Sequence, residues 1–379
     1  MIQVHPARWS PAMGWIVPLD PEFSPSLCLV FGPAEALQDG LLIQELCRDW
    51  PEMLILGCST AGQISDIQLY TDQVVLTALH FEQTRLKLVQ AHLPQASDSF
   101  QVGQGLAHAL KGEELQHVLV LAEGLKINGS GLVDGLQSQL PAAVSLSGGL
   151  AGDDGAFTQT LICTQAGVLS QQVAALGLYG KALKVGCGSA GGWDPFGPER
   201  LITRSEGNEL FEMDGQPALE LYAHYLGPYA DGLPATGLLF PLEIRQGTEQ
   251  PLVRTILGVN PDKGSLIFAG DVPVGCRARL MKANIDRLLD GAAEAAFHGR
   301  NSIKTQPQWA LLVSCYGRKM LLKQRTEEEL EEVKQVLGRQ ATLTGFYSYG
   351  EISPGISMSA SELHNQTMTV TTFAEAELI

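Results

Sequence analysis

Three stretches of the chain share one pattern of apolar and polar positions. Each has a short apolar run, a segment with apolar residues at helical spacing, a second apolar run, and then a glycine-rich corner. The first runs from SLCLVF (26–31) through ALQDGLLIQELCRDW to MLILGCSTAGQI (53–64). A second runs from HVLVLAEG (117–124) through GSGLVDGLQSQLP to AAVSLSGGLAGDD (142–154). The third runs from WALLVSC (309–315) through TEEELEEVKQVLGRQ to TLTGFYSYGEI (342–352). The apolar runs are short and β-branched, whereas Leu37, Leu41, Leu42 and Leu46 recur at helical spacing. Each stretch therefore reads as strand, helix, strand.

The first and third corners can be laid over one another. Gly57 matches Gly345, Gly62 matches Gly350, Ile64 matches Ile352, the hydroxyl of Thr60 matches that of Ser348, and Gln63 faces Glu351. Alternating segments follow both, LYTDQVVLTALHF (69–81) and LHNQTMTVTTF (363–373). Glycine at a corner supplies positive φ or close backbone approach, and exposed N–H groups there can meet a ligand. A tight turn needs no ligand, but its duplication in two halves favours paired positions around a shared cleft. The candidates for that cleft are Gly57, Cys58, Ser59, Thr60 and Gly62 in the first corner, and Gly148, Gly149 and Asp153 in the middle one. The third supplies Ser348, Gly350 and Glu351, with Asn365 just beyond it.

Between the halves, GCGSAGGWDPFGPERL (186–201) is dense in Gly and Pro and reads as the start of a domain connection, with a helix beginning near Gln216-Pro217-Ala218. The longest helical pattern spans 274–299, with Leu280, Ile285, Leu288 and Leu289 on one side. The expected fold is α/β: two related halves of mixed β-sheets covered by helices, carrying the internal strand-helix-strand-glycine-corner repeat. Residues 1–195 are expected to form an N-terminal domain, 196–225 a connecting segment and 226–379 a C-terminal domain.

Charge narrows the function. The 379 residues hold 25 Lys and Arg against 41 Asp and Glu, a net charge of −16. That field repels phosphate backbones and anionic lipid, which argues against nucleic-acid and membrane-surface partners. Seven cysteines without a close pair fit a reducing cytoplasm and offer neither a zinc site nor a covalent haem-attachment motif. No stretch of 18 apolar residues occurs, and prolines and Arg8 break up the N-terminal segment, so neither a membrane span nor a signal peptide is expected.

Chemical motifs are sparse. Residues 186–191 spell G-x-G-x-x-G, but the proline-rich continuation cannot start the helix that would receive a pyrophosphate, so no nucleotide is expected. Cys58 and Ser59 follow a strand at a glycine corner, where a nucleophile could be presented, yet Ala61 stands where a nucleophile elbow has glycine. An enzyme using Cys58 or Cys315 is the reading from a different class, and it requires a depressed thiol pKa. Arg279 and Asn284 on the long helical pattern, and Arg318 beside Cys315, could offer a fork or an amide to an anion. A single imidazole suffices as a haem-iron ligand, and His364 follows the third corner, so it could face the same cleft. The plainer role for His364 is a hydrogen bond that pins its strand to the corner.

The strings GCSTAGQI, SLSGGLAGDD, GWDPFGPERLITRSEGNELFEMDGQPALELY, RARLMKANIDRLL, LLVSCYGRKMLL and GFYSYGEISP with LHNQTMTVTTF together resemble the FIST sensory-domain family, over nearly the whole chain. The order resembles a FIST N region followed by a FIST C region. The resemblance implies a cytoplasmic, non-catalytic input domain for signal transduction that binds small ligands such as amino acids. With both regions filling the chain, the output is expected to pass to a separate protein. Stand-alone members of this kind resemble bacterial nitric-oxide-sensing haem proteins, which implies a b-type haem and a partner histidine kinase. The resemblance carries no axial ligand across, so His364 stands on its position alone. A haem-free receptor for an amino acid or other small metabolite is the alternative, with Arg279, Arg318 and Glu351 as its contacts.

Overall fold

The computed structural model describes residues 1–245, 251–355 and 360–376. It is α/β with mixed sheets, and the repeated pattern is realised three times. In the first unit the parallel strands Leu27–Gly32 and Leu54–Ser59 are continued by antiparallel Val74–His80 and Gln3–Ser10. In the second, parallel Leu115–Ala122 and Ser145–Leu150 are continued by Gln172–Tyr179 and Arg85–His92. In the third, parallel Trp309–Cys315 and Thr342–Ser348 are continued by Met368–Glu375 and Leu183–Ala190. The central strands are buried almost throughout, which is why their sequences are continuous apolar runs and not alternating ones.

At each corner the chain leaves its own sheet for the next. Gln63–Ser65 pairs with Thr342–Ser348 of the third unit, Gly350–Pro354 with Ser145–Leu150 of the second, and Ile162–Thr164 with Leu54–Ser59 of the first. The exchange is cyclic, and one hydrogen bond recurs around it. Ala61 N donates to Tyr347 O at 2.9 Å, Tyr349 N to Leu150 O at 3.2 Å and Gly152 N to Ser59 O at 2.9 Å.

Glycine makes the exchange possible. A Cβ at Gly57, Gly148 or Gly345 would stand 2.1, 1.8 or 1.9 Å from the carbonyl oxygen of Val30, Val120 or Leu312 on the neighbouring parallel strand. Backbone approaches too closely at all three equivalent positions for any side chain. The helices cover these sheets in the ordinary way. Leu41–Asp49 buries Leu42, Ile43 and Leu46, and Gly129–Gln137 is capped by Asn128, whose Oδ1 accepts from Gly131 N at 3.0 Å.

A further sheet is inserted between Leu183–Ala190 and the rest of the third unit. Its order is Leu252–Arg254, Leu242–Arg245, Arg277–Ala283, Trp193–Glu206, Glu209–Met213, Ser265–Phe268, Ile256–Asn260. Two expectations change here. The Gly- and Pro-rich stretch read as the start of a connection belongs to the strand Trp193–Glu206, which tolerates Pro195 and Pro198 because its pairing shifts register between Phe196 and Arg200. The helix expected over 274–299 begins only at Ile285. Arg277–Ala283 is instead a strand, in which Ala278 and Leu280 point inward while Arg277 and Arg279 do not, a period of two. Among the described residues, no helix is long and apolar enough to cross a membrane.

Gly345→Ala is expected to destabilise the fold by roughly 2–3 kcal/mol, the scale of an overpacked core. Gly105→Ala, on an exposed helical face with nothing within 4 Å of the new Cβ, should raise stability by about 0.5–1 kcal/mol. Urea unfolding of the two variants checks both signs.

Candidate functional site

The three corners close on one another, and their polar groups are spent on contacts between them. Ser59 Oγ accepts from Leu161 N at 2.9 Å, and Thr60 Oγ1 lies 2.7 Å from the Gln63 side-chain amide. Gly62 O receives Tyr347 N at 2.8 Å, and Gly350 pairs with Leu150. Gly148 and Gly149 lie inside the second sheet, with Gly149 opposite Glu351. Cys58 is packed in apolar surroundings near Cys163, and Cys315 lies near Glu351; burial, and then those neighbours, push both thiols well above the ordinary range. Neither is a poised nucleophile.

Two carboxylates serve the corners. Glu351 is fully buried and accepts from Ser348 Oγ at 2.7 Å, Thr367 N at 3.1 Å and Thr367 Oγ1 at 3.0 Å. Burial pushes its pKa up to about 8 despite those hydrogen bonds. Asp153 folds the loop after the second corner: it accepts from Phe157 N at 2.9 Å, Thr158 N at 2.7 Å, Gln159 N at 3.0 Å and the Tyr349 hydroxyl. Burial alone would raise its pKa, but those donors hold it below the usual carboxylate value. Asn365 is fully buried, and neither of its side-chain polar atoms has a partner among the described residues.

The cationic candidates are occupied structurally. Arg318 is fully buried: Nε and Nη2 bind Glu329 at 3.1 and 2.8 Å, Nη2 also reaches Leu288 O at 2.7 Å, and Nη1 bonds Gly191 O. Its fork is therefore closed to an outside anion. Arg279 lies on the inserted sheet, paired with Glu243 at 3.1 Å, and Asn284 caps the helix Ile285–Ser302 by accepting from Arg287 N. Neither approaches the corners through these contacts. His364 is buried with Nε2 3.0 Å from Ser353 O, the strand-pinning bond, and burial drives its pKa down to about 4. An axial ligand needs an imidazole nitrogen turned to a flat apolar cavity. His364 turns Nε2 to a backbone carbonyl, and a metal-binding imidazole commonly makes such a bond through its second nitrogen.

An open cleft exists elsewhere, where the second unit, the hairpin of the third and the inserted sheet meet. Its volume is about 310 Å3. The helix Gly129–Gln137 contributes Ser130 and Asp134, the strand Leu252–Arg254 contributes Arg254, the loop after Ser265–Phe268 contributes Asp271, and the strand Ser361–His364 contributes Glu362. Arg254 is 5% exposed, with Nη1 donating to Leu363 O at 2.7 Å and Nε to Asp271 O at 3.2 Å. Its Nη2 has no hydrogen-bond partner among the described residues. Burial lowers the Arg254 pKa against the opposing fields of Asp271, Glu362 and Asp134. Asn128 Nδ2 donates to Asp271 Oδ1 at 3.0 Å and ties the helix to the inserted sheet. A neighbouring recess of about 240 Å3, bounded by Ile127, Leu150 and Phe268, has no charged lining. None of the residues singled out in the sequence lines the charged cleft. The signal that could have pointed to it is faint: an arginine inside the apolar stretch LVRTIL, where a charge needs a reason.

A rigid scaffold of interlocked sheets with a small charged cleft at its edge defines a small-molecule-binding α/β protein. The chain belongs to the FIST family: the FIST N domain model matches residues 26–216 and the FIST C domain model residues 218–354. FIST domains mark a signal-transduction sensor that binds small ligands. An uncharacterized protein of Methanocaldococcus jannaschii is 22% identical over 205 residues, which covers 50% of this chain and 39% of that protein. A cyanuric acid hydrolase from A. caulinodans aligns over 100% of both chains at 10% identity with a TM-score of 0.34, a likeness that carries no argument.

Two measurements check this assignment of roles. Glu351 has a folded pKa near 8 against an unfolded value of 4.5, so its neutral form supplies stability in full below about pH 4.5. That contribution falls as pH rises through 8. Compared with Glu351→Gln, the wild type should therefore lose stability between pH 5 and 8, read as a narrowing or reversed gap in Tm. Thiol labelling of the native protein should leave Cys58 and Cys315 unmodified and reach the half-buried Cys47 first.

Proposed function

We propose that this FIST sensor binds a small zwitterion, such as an amino acid, in the cleft between the helix Gly129–Gln137 and the inserted sheet. The observation that carries the reading is Arg254, a buried guanidinium on the cleft wall with one amino group unpartnered. Its position suits the carboxylate of the ligand, and the cleft carboxylates suit the ammonium. The volume, at the lower end of small-molecule sites, suits one metabolite rather than a peptide.

Arg254 also supplies a route for the signal. Its Nη1 holds Leu363 O, the next residue His364 is paired with Glu351, and Glu351 braces the third corner. Ligand bound at Arg254 shifts the population between two arrangements of this hairpin to the extent that it prefers one of them. The protein acts as a cytoplasmic, non-catalytic input module whose output is contact with a partner, a histidine kinase being the partner class the family resemblance implies. A haem-dependent nitric-oxide response is the other form of the same sensor, and the absorption spectrum of the purified protein with and without nitric oxide decides it.

Calorimetric titration with a panel of amino acids tests the zwitterion reading. Arg254→Met should weaken binding of the preferred amino acid by roughly 10- to 100-fold, the value of a charge-assisted hydrogen bond. Arg254→Lys, which keeps the charge and loses the fork, should fall between. Unchanged affinity in a folded Arg254→Met protein would contradict the proposal.

A further inference from the structure

Arginines from neighbouring strands share one face of the inserted sheet, the face turned away from its apolar core. We propose that this face receives an extended acidic segment of a partner protein, with carboxylates at alternate positions. Arg277 and Arg279 lie two residues apart on the strand Arg277–Ala283, and the strand Leu242–Arg245 sets Arg245 directly opposite Arg277 and Glu243 opposite Arg279. The alternation that buries Ala278 and Leu280 turns these arginines outward. Leu201, 40% exposed, flanks Arg277 on the other side, and Val253 flanks Glu243.

The protein itself satisfies these guanidiniums poorly. Like charges directly opposite on paired strands repel, as Arg245 and Arg277 do here. Glu243 is the carboxylate in contact with the group, and Arg245 Nη2 and Arg279 Nη2 both donate to its Oε1, at 3.2 and 3.1 Å. Nε of each is buried without a hydrogen-bond partner. Arg277 is exposed and makes no hydrogen bond or ion pair among the described residues. Asp214, which feels its field, is committed to Arg200 at 3.1 Å and to the Leu201 N–H at 2.9 Å. A carboxylate arriving from outside fills the open fork of Arg277 and relieves its repulsion with Arg245.

The face also sets the shape and class of the partner. Alternate residues of any extended chain stand about 7 Å apart. Acidic side chains at positions i and i+2 of such a segment therefore meet Arg277 and Arg279 in step, and apolar neighbours pack on Leu201 and Val253. A long polyanion such as a nucleic acid meets the −16 charge of the whole protein over its length. A short segment does not, because charges beyond about 8 Å are screened at physiological salt. Ile244, between Glu243 and Arg245, lines the small-molecule cleft on the opposite face of the same strand. The partner face stands whatever that cleft binds.

The test is fluorescence anisotropy of the full chain with a labelled peptide Gly-Glu-Val-Glu-Val-Glu-Gly. Binding should saturate, and replacing every glutamate of the peptide by glutamine should weaken it at least about 10-fold. Arg277→Glu should weaken binding at least about 10-fold as well, and Arg279→Gln should do so if the first variant does not fold. Arg339→Glu, at an exposed arginine outside the inserted sheet, should change it less than about twofold. Absence of saturable binding, equal binding of the glutamine peptide, or an equal loss in Arg339→Glu overturns the proposal. An oligothymidylate of the same charge binding tighter than the peptide overturns it in favour of a nucleic acid.

Discussion

Close backbone approach at three equivalent glycines is the constraint on which the rest of the fold depends. Gly57, Gly148 and Gly345 each lie against a carbonyl oxygen of the neighbouring parallel strand at a distance no Cβ could share. Only there can a chain end its strand, turn, and join the edge of the next sheet. The three exchanges then lock one another, because every unit both lends a strand and receives one. Buried groups finish the joint: Glu351 braces the third corner, Asp153 folds the loop of the second, and the Glu329 carboxylate gathers Arg318, Ser314 and Tyr347 beneath the third.

A scaffold so interlocked leaves little freedom at its centre, and the variable chemistry sits at its edge. Polar links tie the inserted sheet to the body, among them Asn128 to Asp271 and Arg254 to the Leu363 carbonyl. Between those links lies the charged cleft. The hairpin carrying Leu363 and His364 runs from this boundary directly into the buried corner of Glu351. On the proposed reading, an occupied and an empty cleft are distinguished at the corner without unfolding any sheet.

The repeat was legible in the sequence because glycine leaves no choice at the corners. Gly57 with Gly345, and Ile64 with Ile352, correspond in the structure as they do in the string, and the middle segment takes the equivalent place through Gly148. Orientation was not legible. His364 is adjacent to the corner as its position suggests, but its ring turns to Ser353, and Arg318 turns inward to Glu329. Arg277–Ala283 was read as helix because Leu280 falls at helical spacing from the true helix that follows; over seven residues a period of two and one of 3.6 are easily confused. The cleft was least legible of all. Its charges come from residues 134, 254, 271 and 362, which only the strand exchange and the inserted sheet bring together.

Hydrogen exchange on the full chain, with and without a saturating concentration of the amino acid that binds tightest, reaches the link between cleft and corner most directly. Protection should rise in the helix Gly129–Gln137, around Arg254 and Asp271, and along Ser361–His364, and should extend to the Ser348–Glu351 corner. Protection at the cleft with an unchanged corner would contradict the proposed route of the signal. Protection confined to segments away from Arg254 would contradict the site itself.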